Sequence, residues 1–222
     1  MQGAATTLHF IRHGHAVPEA GAELTEQDGY DDMGLSAKGA AQAAALARRM
    51  RATTPLAAIY TSPTRRARET AEPIARAFGF EAVLEERVRE VRLGTETLAH
   101  LPAAERASAM GVRLRELAAV ALRDGSWASL PGVEPSGDVL ARVRAAVDAI
   151  VTRHPHAHVA VVSHAGSIES YVGSVLGIAR AFFYPIFNTS LNTVRVAGDA
   201  ATILRLNDTA HLETATAAPP DF

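Results

Sequence analysis

Cysteine is absent from the 222 residues of this chain, and lysine is nearly absent. The lack of cysteine excludes disulfides, a thiolate nucleophile and cysteine-ligated metal ions. Lys38 is the one lysine, and the remaining strongly basic side chains are all arginine. Because alanine is also abundant, we attribute the arginine excess to codon usage. Only arginines that stand within a specific motif therefore bear on function.

Long apolar runs are missing too. No stretch approaches the roughly 18 consecutive apolar residues of a membrane span. The first residues, MQGAATTLHF, lack the basic and apolar regions of a secretory leader. A formal net charge of −2 creates no global field toward nucleic acid or an anionic membrane. We expect a cytoplasmic protein with neither as a partner, and a homodimer is left open.

Apolar strand-like segments alternate with helical segments along the chain. Strands are predicted at 7–12, 56–62 and 158–166, and a hairpin at 193–198 and 202–207. Helices are predicted at 35–50, 64–79, 138–154 and 167–178. Residues 80–94 are predicted to begin as a strand and end as a charged loop.

This alternation predicts an α/β fold with a mostly parallel central sheet and helices on both faces. No linker or internal repeat divides the sequence, so a single domain over 1–222 is expected. Residues from about 95 to 135 are interpreted as a helical insertion or lid near the active site.

Polar and basic residues follow three of the predicted strands. Arg12-His13-Gly14 ends the first, Thr64-Arg65-Arg66 opens the helix after the second, and Ser163-His164-Ala165-Gly166 ends the strand predicted at 158–166. Ligands of open α/β sheets bind beyond the carboxyl ends of the strands. Two histidines and at least one arginine at one rim indicate an anion site, in which arginines clamp oxygen atoms.

The order of these segments resembles that of a known family. It comprises RHG (12–14), LSAKGAAQA (35–43), SPTRRARETA (62–71), SHAG (163–166), FNTSLN (187–192) and NDTAHL (207–212). In this order, and over nearly the whole chain, they resemble the histidine phosphatase superfamily, the phosphoglycerate mutase-like proteins. The resemblance is to the phosphatase branch.

The resemblance implies a reaction through a phosphohistidine. His13 would attack phosphorus, and Arg12, Arg66 and His164 would neutralise charge on the transferring group. Glu90, in RVREVRLG (87–94), would protonate the leaving group and then activate water. The implied enzyme is a metal-independent phosphatase without a cofactor, and we expect its substrate to be a small-molecule phosphate monoester.

Several residues have competitors or open roles. Arg65 and Arg68 flank Arg66, although the spacing from Ser-Pro to Thr-Ala selects Arg66. Glu85, Glu86 and Glu96 lie near Glu90, and LGTETLAH (93–100) replaces the aromatic- and glycine-containing run that the family has after the acid. Three further residues are expected to face the substrate or to support those that do: His15, Asn188 and Ser190.

Three other functions compete with hydrolysis through His13. A phosphoglycerate mutase is the nearest, but the Trp-Asn pair typical of mutases after RHG is absent. His13-Gly14-His15 is also an H-x-H pattern, which suits zinc or nickel in metal-dependent hydrolases. The barrel of those enzymes needs about 250 residues. A non-catalytic phosphate-binding module would be expected to lack one of the catalytic groups, and all are present.

Overall fold

The computed structural model describes residues 5–16, 26–27, 30–31, 33–94, 98, 101–127 and 130–213. Its helices are α1 (Ala37–Thr53), α2 (Arg65–Phe78), α3 (Ala103–Asp124), α4 (Ser136–Arg153) and α5 (Ala165–Leu176). Its strands are β1 (Ala5–Arg12), β2 (Glu26–Gln27), β3 (Tyr30–Asp31), β4 (Leu56–Thr61), β5 (Val83–Leu84), β6 (His158–Ser163), β7 (Leu191–Ala197) and β8 (Ala200–Asp208).

Six strands form one sheet in the order β5-β4-β6-β1-β7-β8, and β2 pairs separately with β3. Strands β5, β4, β6 and β1 are parallel to one another, and β7 runs antiparallel to β1 and to β8. The predicted α/β fold and mostly parallel sheet are confirmed. The hairpin is confirmed too, because Ala197 pairs with Ala200 across Gly198-Asp199.

Alternation along the central strands fills both faces of the sheet. On β1, Phe10 belongs to the apolar cluster under α4 and α5, whereas Ile11 belongs to the cluster under α1 and α2. Successive side chains of a strand point to opposite faces, and a sheet with two apolar faces must be covered twice. Helix α4 buries the predicted stripe of apolar residues: Val139, Val143, Ala146, Val147 and Ile150.

The structure departs from the sequence predictions at two boundaries. Strand β6 ends at Ser163 and α5 begins at Ala165, so Ala165 and Gly166 are helical and not part of the strand. His164 keeps an extended backbone as the N-cap, and Ala165 favours helix. Strand β5 is only two residues long, and both are exposed because they lie at the sheet edge.

Helix α3 falls within the segment interpreted as an insertion. Its Leu117 and Ala121 are buried, and Leu117 packs with the cluster under α4 and α5. Its action as a lid stays a prediction. Across the described helices, none is both long enough and apolar enough to span a membrane.

Candidate active site

The sheet register brings the predicted site residues to one rim. Ile11 of β1 pairs with Val162 of β6, which pairs with Thr61 of β4. The residues that follow these three parallel strands therefore emerge side by side. The backbone N–H of His13 donates to the Ser163 carbonyl at 3.0 Å, which continues the ladder into the site.

His13 has one ring nitrogen bound and the other directed at an arginine. Its Nδ1 lies 2.8 Å from the Gly14 carbonyl oxygen, which can only accept, so Nδ1 carries the proton. Nε2 then holds a lone pair, and it accepts from Arg66 Nε at 3.2 Å. The lone pair that a nucleophilic imidazole needs is thus on Nε2.

Arg66 stands between the two histidines. Its Nη2 lies 3.3 Å from His164 Nδ1, and because a guanidinium only donates, Nδ1 accepts. The proton of His164 is therefore on Nε2, which donates to Ser62 Oγ at 2.8 Å. The rings of His13 and His164 meet edge to face with centroids 5.1 Å apart. Arg66 and His164 are both buried.

Ser62 and Thr64 were not predicted as site residues. Thr64 Oγ1 lies 3.3 Å from His164 Nε2, on the same side of the ring as Ser62 Oγ. Both stand in the SPTRRARETA run, directly after β4. The signal that could have identified them is a pair of hydroxyl side chains directly after β4, since β4 lies next to β6, the strand that His164 follows.

Burial and positive charge hold both histidines neutral. Burial lowers the pKa of His13 well below its ordinary 6.5, and Arg66 and Arg12 lower it further. Burial also lowers the pKa of His164 well below that value, with Arg66 the next cause. A neutral imidazole is the nucleophilic form, and two nearby guanidinium groups favour an anion as the ligand.

Arg12 ends β1 and reaches across to the segment before β7. Its Nη1 donates to the Ile186 carbonyl oxygen. Its Nε is buried and, among the residues that the structure describes, has no hydrogen-bond partner. A buried donor of this kind is satisfied when an anion supplies an acceptor.

Glu90 lies close enough to both arginines to interact with their charges. Burial raises the pKa of its carboxyl group, against the lowering effects of its own bond from the Val91 N–H and of Arg66 and Arg12. A carboxyl group whose pKa is raised keeps its proton to higher pH and is therefore a better proton donor. Gly166 makes room for it, because a Cβ there would lie 2.8 Å from Glu90 Oε1.

The turn that carries His13 is packed against α1. A Cβ on Gly14 would lie 2.8 Å from the Gly39 carbonyl oxygen, and one on Gly39 would lie 2.1 Å from the His15 carbonyl oxygen. Gly14 N–H donates to Thr70 Oγ1, and His15 N–H donates to Gln42 Oε1, both at 2.9 Å. Close packing of the glycines and hydrogen bonds to polar side chains of α1 and α2 thus fix the position of the turn.

His15 is turned toward the start of α1. Its Nδ1 lies 2.8 Å from the hydroxyl oxygen of Ser36, the N-cap that also accepts from Gly39 N–H. The side chain is partly buried. The structure therefore places His15 beside His13 in sequence but joins its ring to the α1 cap.

Asn188 and Ser190 lie behind the histidine turn. Asn188 Nδ2 donates to the His13 carbonyl oxygen at 2.9 Å, and Thr189 N–H donates to the Arg12 carbonyl oxygen at 2.9 Å. Ser190 is buried and accepts from Asn192 Nδ2 at 3.3 Å. These bonds join the FNTSLN segment to the backbone of the RHG turn.

The competing side chains have other surroundings. Arg65 and Arg68 are exposed on α2, whereas Arg66 is buried. Glu85 pairs with Arg87 at 2.6 Å, and Glu86 is exposed in the short 3-10 helix Glu86–Val88. Glu96 lies outside the described residues. The structure thus brings His13, His164, Arg12, Arg66 and Glu90 together.

These features accompany membership of a known family. The model of the histidine phosphatase superfamily (branch 1) matches residues 8–209. The chain belongs to this superfamily. It is 33% identical over 218 residues to the bifunctional protein Rv2228c of Mycobacterium tuberculosis, covering 95% of this chain and 56% of that protein. The chain thus spans little more than half the length of the curated relatives of that kind.

Other similar proteins carry the names of phosphatases and mutases. A probable phosphoglycerate mutase of Erwinia tasmaniensis is 27% identical over 181 residues, covering 77% of this chain and 75% of that protein. The solved structure of YhfR from Bacillus stearothermophilus superposes with a TM-score of 0.73 at 27% identity, covering 94% of this chain and all of the other. The mycobacterial glucosyl-3-phosphoglycerate phosphatase Rv2419c superposes with a TM-score of 0.68 at 25% identity, covering 91% and 99%.

Proposed function

We propose that the protein is a phosphomonoester hydrolase that acts through a phosphohistidine on His13. Arg12, Arg66 and His164 hold the phosphoryl group, and Glu90 is the proton donor. The observation that carries this proposal is the setting of the His13 ring: Nδ1 bonds to the Gly14 carbonyl oxygen, Nε2 accepts from Arg66, and the charges of Arg66 and Arg12 act on the ring.

In the first step, His13 Nε2 forms a bond to phosphorus as the bond from phosphorus to the ester oxygen breaks. The proton of Glu90 goes to the departing oxygen, which leaves as an alcohol. In the second step, the Glu90 carboxylate takes a proton from water, and the oxygen of that water attacks phosphorus. The bond between nitrogen and phosphorus then breaks, and His13 returns to its neutral form.

The charges of the site suit a dianionic ester. Arg12 and Arg66 stabilise the negative charge that spreads over the phosphoryl oxygens as the group transfers. A bound dianion also raises the pKa of His164, which lowers the cost of protonating that ring beside the substrate. Helices α2 and α5 begin at this rim, and their N-termini favour an anion.

For the substrate we propose a small-molecule phosphate monoester. Support comes from the similar solved phosphatase whose name gives glucosyl-3-phosphoglycerate as its substrate. The relative from Erwinia tasmaniensis favours a second candidate, phosphoglycerate mutase activity, in which the phosphoryl group of His13 returns to a substrate oxygen instead of to water.

The test is phosphate release from an aryl phosphate by wild type and by His13→Ala, each with and without EDTA. Release that survives EDTA and disappears in His13→Ala is expected. Loss on EDTA treatment would favour metal chemistry at His13 and His15. Within the part of the chain that the structure describes, no group of three or more His, Cys, Asp or Glu side chains is placed to hold a metal ion.

Separation of the two candidates needs a second assay. If wild type releases no phosphate but interconverts phosphoglycerates in the presence of a bisphosphorylated primer, the mutase is the correct function. If it hydrolyses members of a panel of sugar, amino-acid and glycerate phosphates, the hydrolase is correct, and the preferred substrate is read from kcat/KM.

A further inference from the structure

The guanidinium group of Arg142, on α4, donates all of its hydrogen bonds to other groups of the protein. Nε donates to Glu134 Oε1 at 2.8 Å, and Nη2 donates to Glu134 Oε2 at 3.1 Å. Nη1 donates to the carbonyl oxygens of Arg87 and Arg89, both at 2.8 Å, and Nη2 donates to that of Glu90 at 3.1 Å. These five bonds account for all five N–H donors that an arginine possesses.

Three of the five bonds end on the short segment that carries Glu90. Serine hydroxyl groups at the end of β6 and in α5 also donate to carbonyl groups of this segment. Ser163 Oγ donates to the Val88 carbonyl oxygen at 2.6 Å, and Ser167 Oγ donates to that of Arg89. Because this segment forms no strand, these side chains take the place of a sheet ladder in fixing its backbone.

Glu134 fixes Arg142 in turn. Its carboxylate is almost fully buried, with 4% of the residue exposed, and it also accepts from the Arg92 N–H at 3.2 Å. The Glu134 N–H donates to the Arg92 carbonyl at 2.8 Å. A desolvated ion pair is costly to break, since either partner would be left as an uncompensated buried charge. The segment after Glu90 is thus tied to the same pair.

We propose that Arg142, oriented by Glu134, is the positioning residue of the proton donor Glu90. It binds the backbone of residues 87–90 and does not touch the substrate. This inference rests on the proposed function, in which Glu90 protonates the leaving oxygen. The planar guanidinium supplies five donors in a fixed arrangement, and a lysine supplies only three from one point, so charge alone cannot replace it.

The test compares two esters that differ in their need for a proton donor. Glycerol 2-phosphate releases an alkoxide, which must be protonated as it departs, whereas 2,4-dinitrophenyl phosphate releases a stable phenolate, which need not be. We define the acid dependence as kcat/KM for the dinitrophenyl ester divided by kcat/KM for the glycerol ester. This ratio does not change if part of a variant preparation is unfolded.

Glu90→Gln provides the reference, because it removes the donor itself. We expect Arg142→Met to raise the acid dependence on the order of 10- to 100-fold, a part of the 10²- to 10⁴-fold that general-acid catalysis contributes. Arg142→Lys keeps the charge and is expected to raise the ratio several-fold. Arg144→Met, at an exposed arginine of the same helix, is expected to leave it unchanged.

Each result decides a different point. An unchanged ratio in both Arg142 variants, with both esters slowed equally or not at all, would overturn the positioning role. Full rescue by lysine would also overturn it, since charge would then suffice. An unchanged ratio in Glu90→Gln would show that Glu90 is not the proton donor, and Arg142 could then not be its positioning residue. Wild type without His13-dependent phosphate release would overturn the proposed function, and the role of Arg142 would be overturned too.

Discussion

His13 and Glu90 belong to one site, but different parts of the chain hold them. His13 is fixed by the ladder between β1 and β6 and by the helices that follow the neighbouring strands. Glu90 stands outside the sheet, just after the short 3-10 helix Glu86–Val88, and side chains from α4 and α5 bind the backbone of this segment. We call Arg12, His13, Arg66 and His164 the histidine side, and residues 87–91 the carboxyl side.

The two sides of the site are therefore held in place by different kinds of interaction. The histidine side owes its geometry to strand register, which is shared with the core and cannot shift without breaking the sheet. The carboxyl side owes its geometry to a few side-chain bonds, and these can be removed one at a time. Substitutions on the two sides should therefore differ in the esters they affect and in their cost to stability.

After the loss of His13 itself, the largest effect is expected at Arg66, also on the histidine side. Arg66→Met removes the guanidinium that lies between the two rings, and we expect kcat/KM to fall by about 10²- to 10³-fold, as for the loss of one preorganised donor to a transition-state oxygen. The fall should be equal for glycerol 2-phosphate and 2,4-dinitrophenyl phosphate, since both esters present the same phosphoryl group. Initial rates over a range of substrate concentrations measure it.

Arg68→Met is the matched control, because Arg68 is exposed two residues further along α2. It should retain wild-type rates with both esters. A fall at Arg66 that is much larger for the glycerol ester would show that Arg66 acts on the leaving group, and the division between the two sides would then be wrong.

The sequence contained most of the histidine side. His13, Arg66 and His164 each follow the carboxyl end of a strand or open the next helix, so a rule of α/β topology places them at one rim. The apolar stripe of α4 and the hairpin at Gly198-Asp199 could also be predicted from the sequence, because they depend on local periodicity and turn preference. Local rules thus sufficed for the α/β fold and for the rim at which the candidate site lies, whereas the choice of Arg66 and of Glu90 came from the family resemblance.

The support of the carboxyl side was not predicted. Arg142 lies more than 50 residues from Glu90 in sequence, in a chain where arginine is common, and only the packing of α4 against the segment 87–90 joins them. One signal was available: Arg142 is three residues after Val139 and four before Ala146, on the buried face of the helix. Specificity carried by the segments 16–34 and 95–135 was also unpredicted, and much of the first segment lies outside the described residues.

Two glycines give the next largest difference, this time in stability. A Cβ on Gly14 would meet backbone of Gly39 at 2.8 Å, and backbone cannot give way without moving α1. A Cβ on Gly166 would meet the side chains of Val91 and Glu90, at 2.7 and 2.8 Å, and these can rotate. We expect Gly14→Ala to lower the free energy of unfolding by about 1–3 kcal/mol, and Gly166→Ala to lower it less.

Urea unfolding curves measure both changes. Gly137→Ala is the control, since nothing lies within 4 Å of its Cβ position in the first turn of α4, and it should be neutral or stabilising by up to about 1 kcal/mol. In activity, Gly166→Ala should slow the glycerol ester more than the dinitrophenyl ester, because it displaces Glu90. Equal stability losses at the two glycines would contradict the view that the histidine side is the stiffer one.

A change of pH should alter the contributions of His13 and Glu90 to the free energy of unfolding in opposite directions. The pKa of His13 is lowered in the folded state, so the unfolded chain binds more protons below pH 6.5 and acidification destabilises the protein. The pKa of Glu90 is raised, so the folded chain binds more protons above pH 4.5 and raising the pH through the folded pKa destabilises it. One such group changes stability by at most about 1.4 kcal/mol per pH unit.

The variants Glu90→Gln and His13→Gln separate the two contributions. We expect Glu90→Gln to be more stable than wild type at pH 8, with a difference that shrinks toward pH 4, since the amide carries no buried charge. We expect His13→Gln to lose less stability than wild type between pH 6.5 and 5. Urea midpoints across this range measure both, and a lower stability of Glu90→Gln at pH 8 would contradict the assigned sign.

The smallest effect is expected at His15, which stands two residues after the proposed nucleophile. Its ring bonds to Ser36 and not to the histidine side, so it contributes to the start of α1 rather than to the reacting group. His15→Ala should lower kcat/KM less than about fivefold, the worth of one ordinary hydrogen bond of about 1 kcal/mol, and by the same factor for both esters. Ser36→Ala should have a similar effect, and the double variant should add little, because the two side chains share one bond. A loss approaching that of His13→Ala, or one confined to a single ester, would instead place His15 against the substrate and extend the histidine side by one residue.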